Sequence, residues 1–189
     1  MMLLEPLPGT LQVDGRAVPI RPDYREWMRF ELLMQEPDVP YAWRSEAAIK
    51  LIYREPVTDI PAALEQILWF YACGQPKRKR QRKGAQAAIP KRIYDLEIDA
   101  PLVYAAFLSQ YGIDLCDTKL HWWKFRALFD GLSEDQQLCK VMGYRAVDIS
   151  KIKSKEEKQR LQKLQALYRL PSAMSTEDKI AAAGSIFAM

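Results

Sequence analysis

The stretch Thr58-Asp-Ile-Pro-Ala-Ala-Leu-Glu-Gln-Ile-Leu-Trp-Phe-Tyr-Ala-Cys-Gly74 decides the fold class. Ile60, Ala63, Leu64, Ile67, Leu68 and Tyr71 recur at spacings of three and four, the period of one helix face. Thr58 or Asp59 supplies an N-cap oxygen, Pro61 suits a first turn where its missing N–H costs nothing, and Gly74 punctuates the end.

The same period extends outward on both sides. Toward the N-terminus, Tyr24, Trp27, Met28 and Leu32 share a face of a helix that must stop before Pro37. A weaker helix, from about Ala42 to Arg54, carries Ala48, Leu51 and Ile52 inward. Only the opening departs from this pattern. Thr10-Leu-Gln-Val13 and Arg16-Ala-Val-Pro-Ile20 flank Asp14-Gly15, a strong two-residue hairpin signal, and Pro19 confines its strand to an edge because it cannot donate to a ladder.

Toward the C-terminus, Asp99 caps and Pro101 opens a helix in which Leu102 to Leu108 is apolar on nearly every side, predicting a central, buried element that ends at Tyr111-Gly112. Leu120 to Phe129 follows, with Trp122, Phe125 and Phe129 on one side and Leu120, Trp123, Ala127 and Leu128 about 100° away. Ser133-Glu-Asp-Gln136 reads as a capping box opening a helix with Leu138, Val141 and Met142. Ser154-Lys-Glu-Glu157 opens a longer one with Leu161, Leu164 and Tyr168, ended by Pro171. From Ser175, the spacing of Ile180, Ala183 and Phe187 gives one more short helix. The expected architecture is mainly α, bundle-like, with a small N-terminal β-hairpin.

Between the helical parts the character changes. Lys77, Arg78, Lys79, Arg80, Arg82, Lys83, Lys91 and Arg92 put eight positive charges between Gly74 and Tyr94 with no acid among them. Removing those eight from the net charge of +4 leaves −4, so the basicity belongs to one self-repelling segment. The expected divisions are a hairpin-plus-helices part (1–73), a basic linker (74–93), a helical part (94–170) that either shares a core with the first or stands apart, and an extension (171–189).

Composition narrows the chemistry. At 49% hydrophobic and 28% charged residues, the 189-residue chain has the balance of a globular protein. Its longest apolar runs, Leu102–Leu108 and Ile67–Cys73, fall far short of the ~20 residues of a membrane span. The N-terminus lacks the basic start and apolar core of a secretory signal, pointing to the cytoplasm. Cys73, Cys116 and Cys139 form neither a CxxC pair nor an even disulfide framework. A lone His121 and eight scattered glycines supply no His-containing zinc motif, no phosphate loop and no dinucleotide turn. The acids Asp95, Glu97, Asp99, Asp114 and Asp117 sit as caps and turns rather than in a cation-loop pattern. No catalytic, cofactor-binding or metal-binding residue is assigned, and no enzyme is expected.

Two constellations remain, each with two readings. The cluster His121-Trp122-Trp123-Lys124-Phe125, with Phe129, Trp27 and Phe30, supplies candidate protein-binding aromatics, since such rings dominate interface hot spots. The same rings suit a core, the reading favoured here, burying ~150–250 Å² each, with His121 a hydrogen-bonded structural residue. The run Lys77, Arg78, Lys79, Arg80, Arg82 and Lys83 suits phosphate neutralisation on nucleic acid, or is a solvated linker. It lacks the interleaved aromatics that stack bases.

Longer signatures add a resemblance. Tyr94-Asp-Leu-Glu-Ile-Asp99-Ala-Pro101-Leu-Val-Tyr104-Ala-Ala-Phe-Leu108, Gln110-Tyr-Gly-Ile-Asp-Leu115, His121-Trp-Trp-Lys-Phe125 and Gly143-Tyr-Arg-Ala146 lie in the second half. The Asp14-Gly15 hairpin, Tyr24-Arg-Glu-Trp27, Arg29-Phe-Glu31, Trp69-Phe-Tyr71 and Cys73-Gly74 lie in the first. Together, over most of residues 10–170, they resemble a family from bacteriophages and prophages of Gram-positive hosts. Its members are encoded in the tail gene cluster between the major tail protein and the tape measure protein. The resemblance implies a tail assembly chaperone of long non-contractile tails, without cofactor. Such a protein coats the tape measure protein, brings tail tube protein to it, and leaves before the virion matures. It implies, as further partners, a companion chaperone or other copies of the same chain. The alternative from the residues alone is a nucleic-acid-binding accessory protein acting through 77–92. The extension after Pro171 matches nothing in the resemblance.

Overall fold

A computed structural model describes residues 3–36, 38–75 and 92–171. The basic positions Lys77 to Lys91 and the helix expected from Ser175 lie outside the described residues. Within them the chain is mainly α, with seven α-helices and one two-stranded antiparallel hairpin. It folds as two compact units, 3–75 with 119–127, and 92–118 with 128–171. Residues 119–127 thus leave the 94–170 part and join the hairpin and the first helices.

In the first unit, β1 (Thr10–Val13) pairs with β2 (Arg16–Pro19), Leu11 opposite Val18. Asp14 and Gly15 both have positive φ, 50° and 69°, the turn whose twist matches a hairpin. Leu11, Val13 and Val18 turn one face into the core. Helix α1 (Tyr24–Gln35) starts at Asp23, whose side chain accepts from the Arg25 N–H at 3.0 Å. Its buried face is Tyr24, Trp27, Phe30 and Glu31, rotated from the expected Met28 and Leu32, which are half-buried. The shift is possible because the Glu31 carboxylate is paired inside, accepting from the Tyr71 hydroxyl at 2.6 Å and from Gln35 at 3.3 Å.

Helix α2 (Tyr41–Ile52) buries Ser45, Ala48, Ile49 and Ile52; Leu51, expected inside, is half-buried. Helix α3 (Ile60–Tyr71) starts as read, with Asp59 accepting from the Ala62 N–H at 3.0 Å. Its core stripe is narrower than the sequence suggested. Ala63, Ile67 and Phe70 are buried, whereas Ile60 and Leu68 are exposed.

The 119–127 segment is joined to this unit by backbone pairing. The Tyr24 N–H donates to Leu120 O and the Trp122 N–H to Pro22 O, both at 2.8 Å. Well-paired backbone of this kind fixes the segment beside the start of α1. His121 adds to it as a structural residue. Its Nδ1 accepts from the Trp123 N–H (3.1 Å), which places the ring proton on Nε2, 3.1 Å from Pro8 O. Burial lowers its pKa from the ordinary 6.5, with Lys124 adding to the effect and the Pro8 hydrogen bond opposing it.

In the second unit, α4 (Ala100–Tyr111) ends at Gly112, whose left-handed φ of 65° lets its N–H reach Leu108 O at 3.0 Å. The helix buries only Val103, Ala106 and Phe107, and Leu108 is exposed, so the expected all-round burial does not hold. An apolar sequence around a helix states what burial is possible; the number of packed neighbours decides how much occurs. α5 (Trp122–Asp130) contributes residues 128–130 to this unit. α6 (Gln137–Ala146) begins after the Ser133–Gln136 box, which closes a turn rather than the first helical turn. A 3-10 turn (Ile149–Lys151) leads to α7 (Lys155–Leu167), capped by Ser154 as read and burying no residue fully.

Asp99 occupies the N-cap position of α4 without capping it. Its carboxylate is spent on Arg145 in a two-pronged pair, Nη1–Oδ2 2.5 Å and Nη2–Oδ1 2.9 Å. Arg145 also donates to Tyr168 O (2.6 Å) and Ile93 O (3.1 Å), and Asp99 accepts from the Asp95 N–H (2.9 Å). This satisfied ion pair at the heart of the unit ties α4, α6 and the end of α7 together.

Candidate partner-binding surface

The candidate aromatics fall mostly inside. Trp27, Phe30, Trp122, Phe125 and Phe129 are buried, and Trp123 is half-buried. Trp27 stacks on Phe70 with centroids 4.4 Å apart and donates its indole N–H to Arg21 O at 3.0 Å. Trp122 stacks on Tyr71 at 5.3 Å and Phe125 on Tyr24 at 4.9 Å. Five of the six protein-binding candidates are therefore core residues, and the surface reading gives way for them.

The Trp122-Trp123 pair has a specific task. The last carbonyls of any helix lack an intrahelical partner. The Trp123 indole N–H donates to Phe70 O at 2.8 Å and that of Trp122 to Tyr71 O at 3.0 Å, so adjacent tryptophans close the C-terminal end of α3. The chain turns away there through Cys73 and Gly74, with φ of 56° and 71°. A Cβ on Gly74 would lie 3.0 Å from the Trp123 ring and 3.3 Å from Trp69, so the ring occupies the space that only glycine leaves.

The exposed apolar surface lies elsewhere, on residues that the periodicity did not single out as surface. Trp43 is 72% exposed, Tyr41 67% and Trp69 41%. Between α2, the loop after it and the start of α3 runs an open groove of about 930 Å³. Ala42, Ile49, Tyr53, Pro56, Val57, Ile60 and Leu64 give it an apolar lining, with Tyr41 at its edge. Ile60 and Leu64 carry that surface onto the face of α3 that bears the exposed Leu68.

The groove floor is firmly held. The Tyr53 hydroxyl donates to Ala63 O at 3.0 Å, and burial pushes its pKa up to about 12. Arg21 donates to the carbonyls of Lys50 (3.2 Å), Leu51 (3.0 Å) and Tyr53 (2.6 Å), closing the C-terminal end of α2, where a cation is favoured. Arg54 donates to Ile20 O at 3.1 Å, and Lys50 pairs with Glu46 at 2.6 Å across the rim. The signal in the sequence was the excess of apolar residues on α2 and α3 over what one core stripe needs. Ile60 and Leu68, assigned inward by period, are the surplus.

Among the described residues no three His, Cys, Asp or Glu side chains group as a metal site, and no helix is long and apolar enough to cross a membrane. The six basic candidates Lys77, Arg78, Lys79, Arg80, Arg82 and Lys83 lie outside the described residues. What the described surface offers is an open, largely apolar groove between α2 and α3. The chain matches the family model described as Bacteriophage Gp15 protein over residues 3–170, and it belongs to that bacteriophage family. No curated protein and no solved structure matches it.

Proposed function

We propose that this protein is a tail assembly chaperone that binds the phage tape measure protein and assists tail tube assembly, without catalysis or cofactor. The observation that carries the reading is the open apolar groove of the first unit in a chain of a bacteriophage family. A tape measure protein is a long, helix-rich chain whose apolar faces need cover before tube subunits surround it. An amphipathic helix lays such a face into a groove between two helices of its partner. Binding of this kind needs no bond-making group. The work takes place in the host cytoplasm, with tail tube protein as the second partner, and the chaperone departs before the virion matures.

The test is co-expression with the tape measure protein of the same phage, followed by pull-down after nuclease treatment in about 0.5 M salt, where phosphate-driven contacts weaken. Retention of a tape measure whose solubility depends on this protein supports the reading. The eight positive charges between 77 and 92 favour one rival, a nucleic-acid-binding accessory protein. Loss of the tape measure, with nucleic acid co-purifying only at low salt, replaces the chaperone reading with that one.

A further inference from the structure

We propose that the groove between α2 and α3 takes an amphipathic helix whose apolar stripe ends beside an acidic side chain, and that Arg54, with Arg21, receives that carboxylate. On the chaperone reading, on which this rests, the helix belongs to the tape measure protein. Both long walls of the groove are helices, whose backbone groups are paired within each helix. The carbonyls at the end of α2 are taken as well, since Arg21 donates to those of Lys50, Leu51 and Tyr53. Such walls offer an incoming chain no ladder to join, so the occupant must pair its own backbone, as a helix does. The largely apolar space of about 930 Å³, bounded by Ile49, Tyr53, Val57, Ile60 and Leu64, receives its apolar face.

Charge decides which helix fits. The lining holds three cations, Arg21, Lys50 and Arg54, against two acids, Glu46 and Glu55. Lys50 and Glu46 neutralise each other at 2.6 Å. Among the described residues neither arginine is ion-paired, with Glu55 or with any other carboxylate; each is held by one edge of its guanidinium on backbone oxygens. Arg21 uses Nη1 on the end of α2, and Arg54 uses Nε on Ile20 O at 3.1 Å. That anchoring sets both groups where the chain leaves α2, and it leaves Nη1 and Nη2 of the exposed Arg54 to donate outward, a fork that matches a carboxylate. The rim also carries the residue types that dominate binding energy. Tyr41 is 67% exposed, and Trp43, three and seven residues before Glu46 and Lys50, lies on their side of α2. A helix with a basic residue at that end would meet two unpaired guanidinium groups and is rejected.

The probes are overlapping synthetic peptides of about 25 residues, long enough to form helix, that cover the tape measure protein of the same phage. Fluorescence anisotropy follows their binding to the full chain. The tightest binders are expected to carry apolar residues at helical spacing next to Asp or Glu. Ile60→Lys, at the exposed groove edge, weakens them at least tenfold, and Leu167→Lys, at an exposed position on α7, leaves them unchanged. Arg54→Glu weakens them at least about tenfold at low salt, and exchanging the peptide's acid for Lys restores binding to the Arg54→Glu chain to within about threefold. That recovery also shows that Arg54→Glu keeps its fold. Urea unfolding followed by tryptophan fluorescence checks Ile60→Lys, with Tyr41→Lys as its substitute. The proposal is overturned if no peptide binds, if the tightest binders lack the acid, if the groove substitutions change nothing, or if the charge exchange restores nothing. Full-length tape measure protein separates the two readings. Retained equally by the unaltered chain and by Ile60→Lys, it leaves the chaperone reading standing and overturns the groove as its seat. Not retained by the unaltered chain, it overturns the chaperone reading, and the groove assignment falls with it.

Discussion

Replacing Gly74 by alanine tests whether the Trp123 ring is locked over the end of α3. A non-glycine residue at φ of 71° costs about 1–2 kcal/mol. The new methyl meets Trp123 carbon at 3.0 Å and Trp69 carbon at 3.3 Å, closer than ordinary contact. Trp123 cannot yield freely, because its indole N–H is committed to Phe70 O at 2.8 Å, so overpacking adds about 1–2 kcal/mol. Alanine restricts the unfolded chain and returns about 0.4–1 kcal/mol. The net loss is about 2 kcal/mol. Gly15→Ala is the control within the same unit, since φ is 69° but nothing lies within 4 Å of its Cβ, leaving a loss of about 1 kcal/mol or less. All five tryptophans (27, 43, 69, 122 and 123) belong to the first unit, so urea unfolding followed by their fluorescence reads that unit. With a urea slope of about 1–1.5 kcal/mol/M, the midpoint falls by roughly 1.5–2 M for Gly74→Ala and by under roughly 1 M for Gly15→Ala. Equal shifts for the two variants would refute the locked-ring account.

Arg145→Met leaves the Asp99 carboxylate buried and unpaired and lowers the stability of the second unit by about 3–5 kcal/mol; adding Asp99→Leu should recover much of that in a double-mutant cycle followed by circular dichroism. Recovery of nothing would mean that the backbone bonds from Arg145 to Ile93 and Tyr168, not the ion pair, hold the unit. Because burial lowers the His121 pKa, the unfolded chain binds a proton that the folded imidazole resists. The contribution is therefore present above about 6.5 and is lost as pH falls through the unfolded value toward the lower folded one. The urea midpoint of the first unit should drop between pH 7.5 and 5.5, and His121→Gln should flatten that slope; an unchanged slope assigns it to other groups. Trp43→Ala, at a 72% exposed position, should change stability by less than about 0.5 kcal/mol, whereas Trp122→Phe, which strips Tyr71 O of its donor, costs about 1–2 kcal/mol.

The candidate site was legible only in part. The tryptophan pair was marked by its composition, yet a core ring and a surface ring have the same local sequence. What separates them is whether other elements arrive on both sides, and Tyr71 and Phe70 come from 51 and 53 residues away in the chain. The groove left a fainter trace, the surplus apolar residues Ile60 and Leu68 on a helix whose core stripe was already complete. Glu31 was not placed by the sequence at all. A period argument counts a carboxylate as outward, and only the approach of Tyr71 makes its burial affordable.

The sequence by itself determined the elements. The helical period, Asp23, Asp59 and Ser154 as caps, Pro61 and Pro101 at starts, Gly112 at an end and Asp14-Gly15 in the turn all act within a few residues, through sterics and local hydrogen bonds. Tertiary structure alone decided that residues 119–127 belong beside the hairpin and α1–α3. It also decided that Asp99 binds Arg145 instead of capping α4, and that the unused apolar face lies on α2 and α3 rather than on the tryptophan pair. Those outcomes depend on contacts between residues far apart in the chain, whose free energy comes from desolvation and pairing that no local window contains.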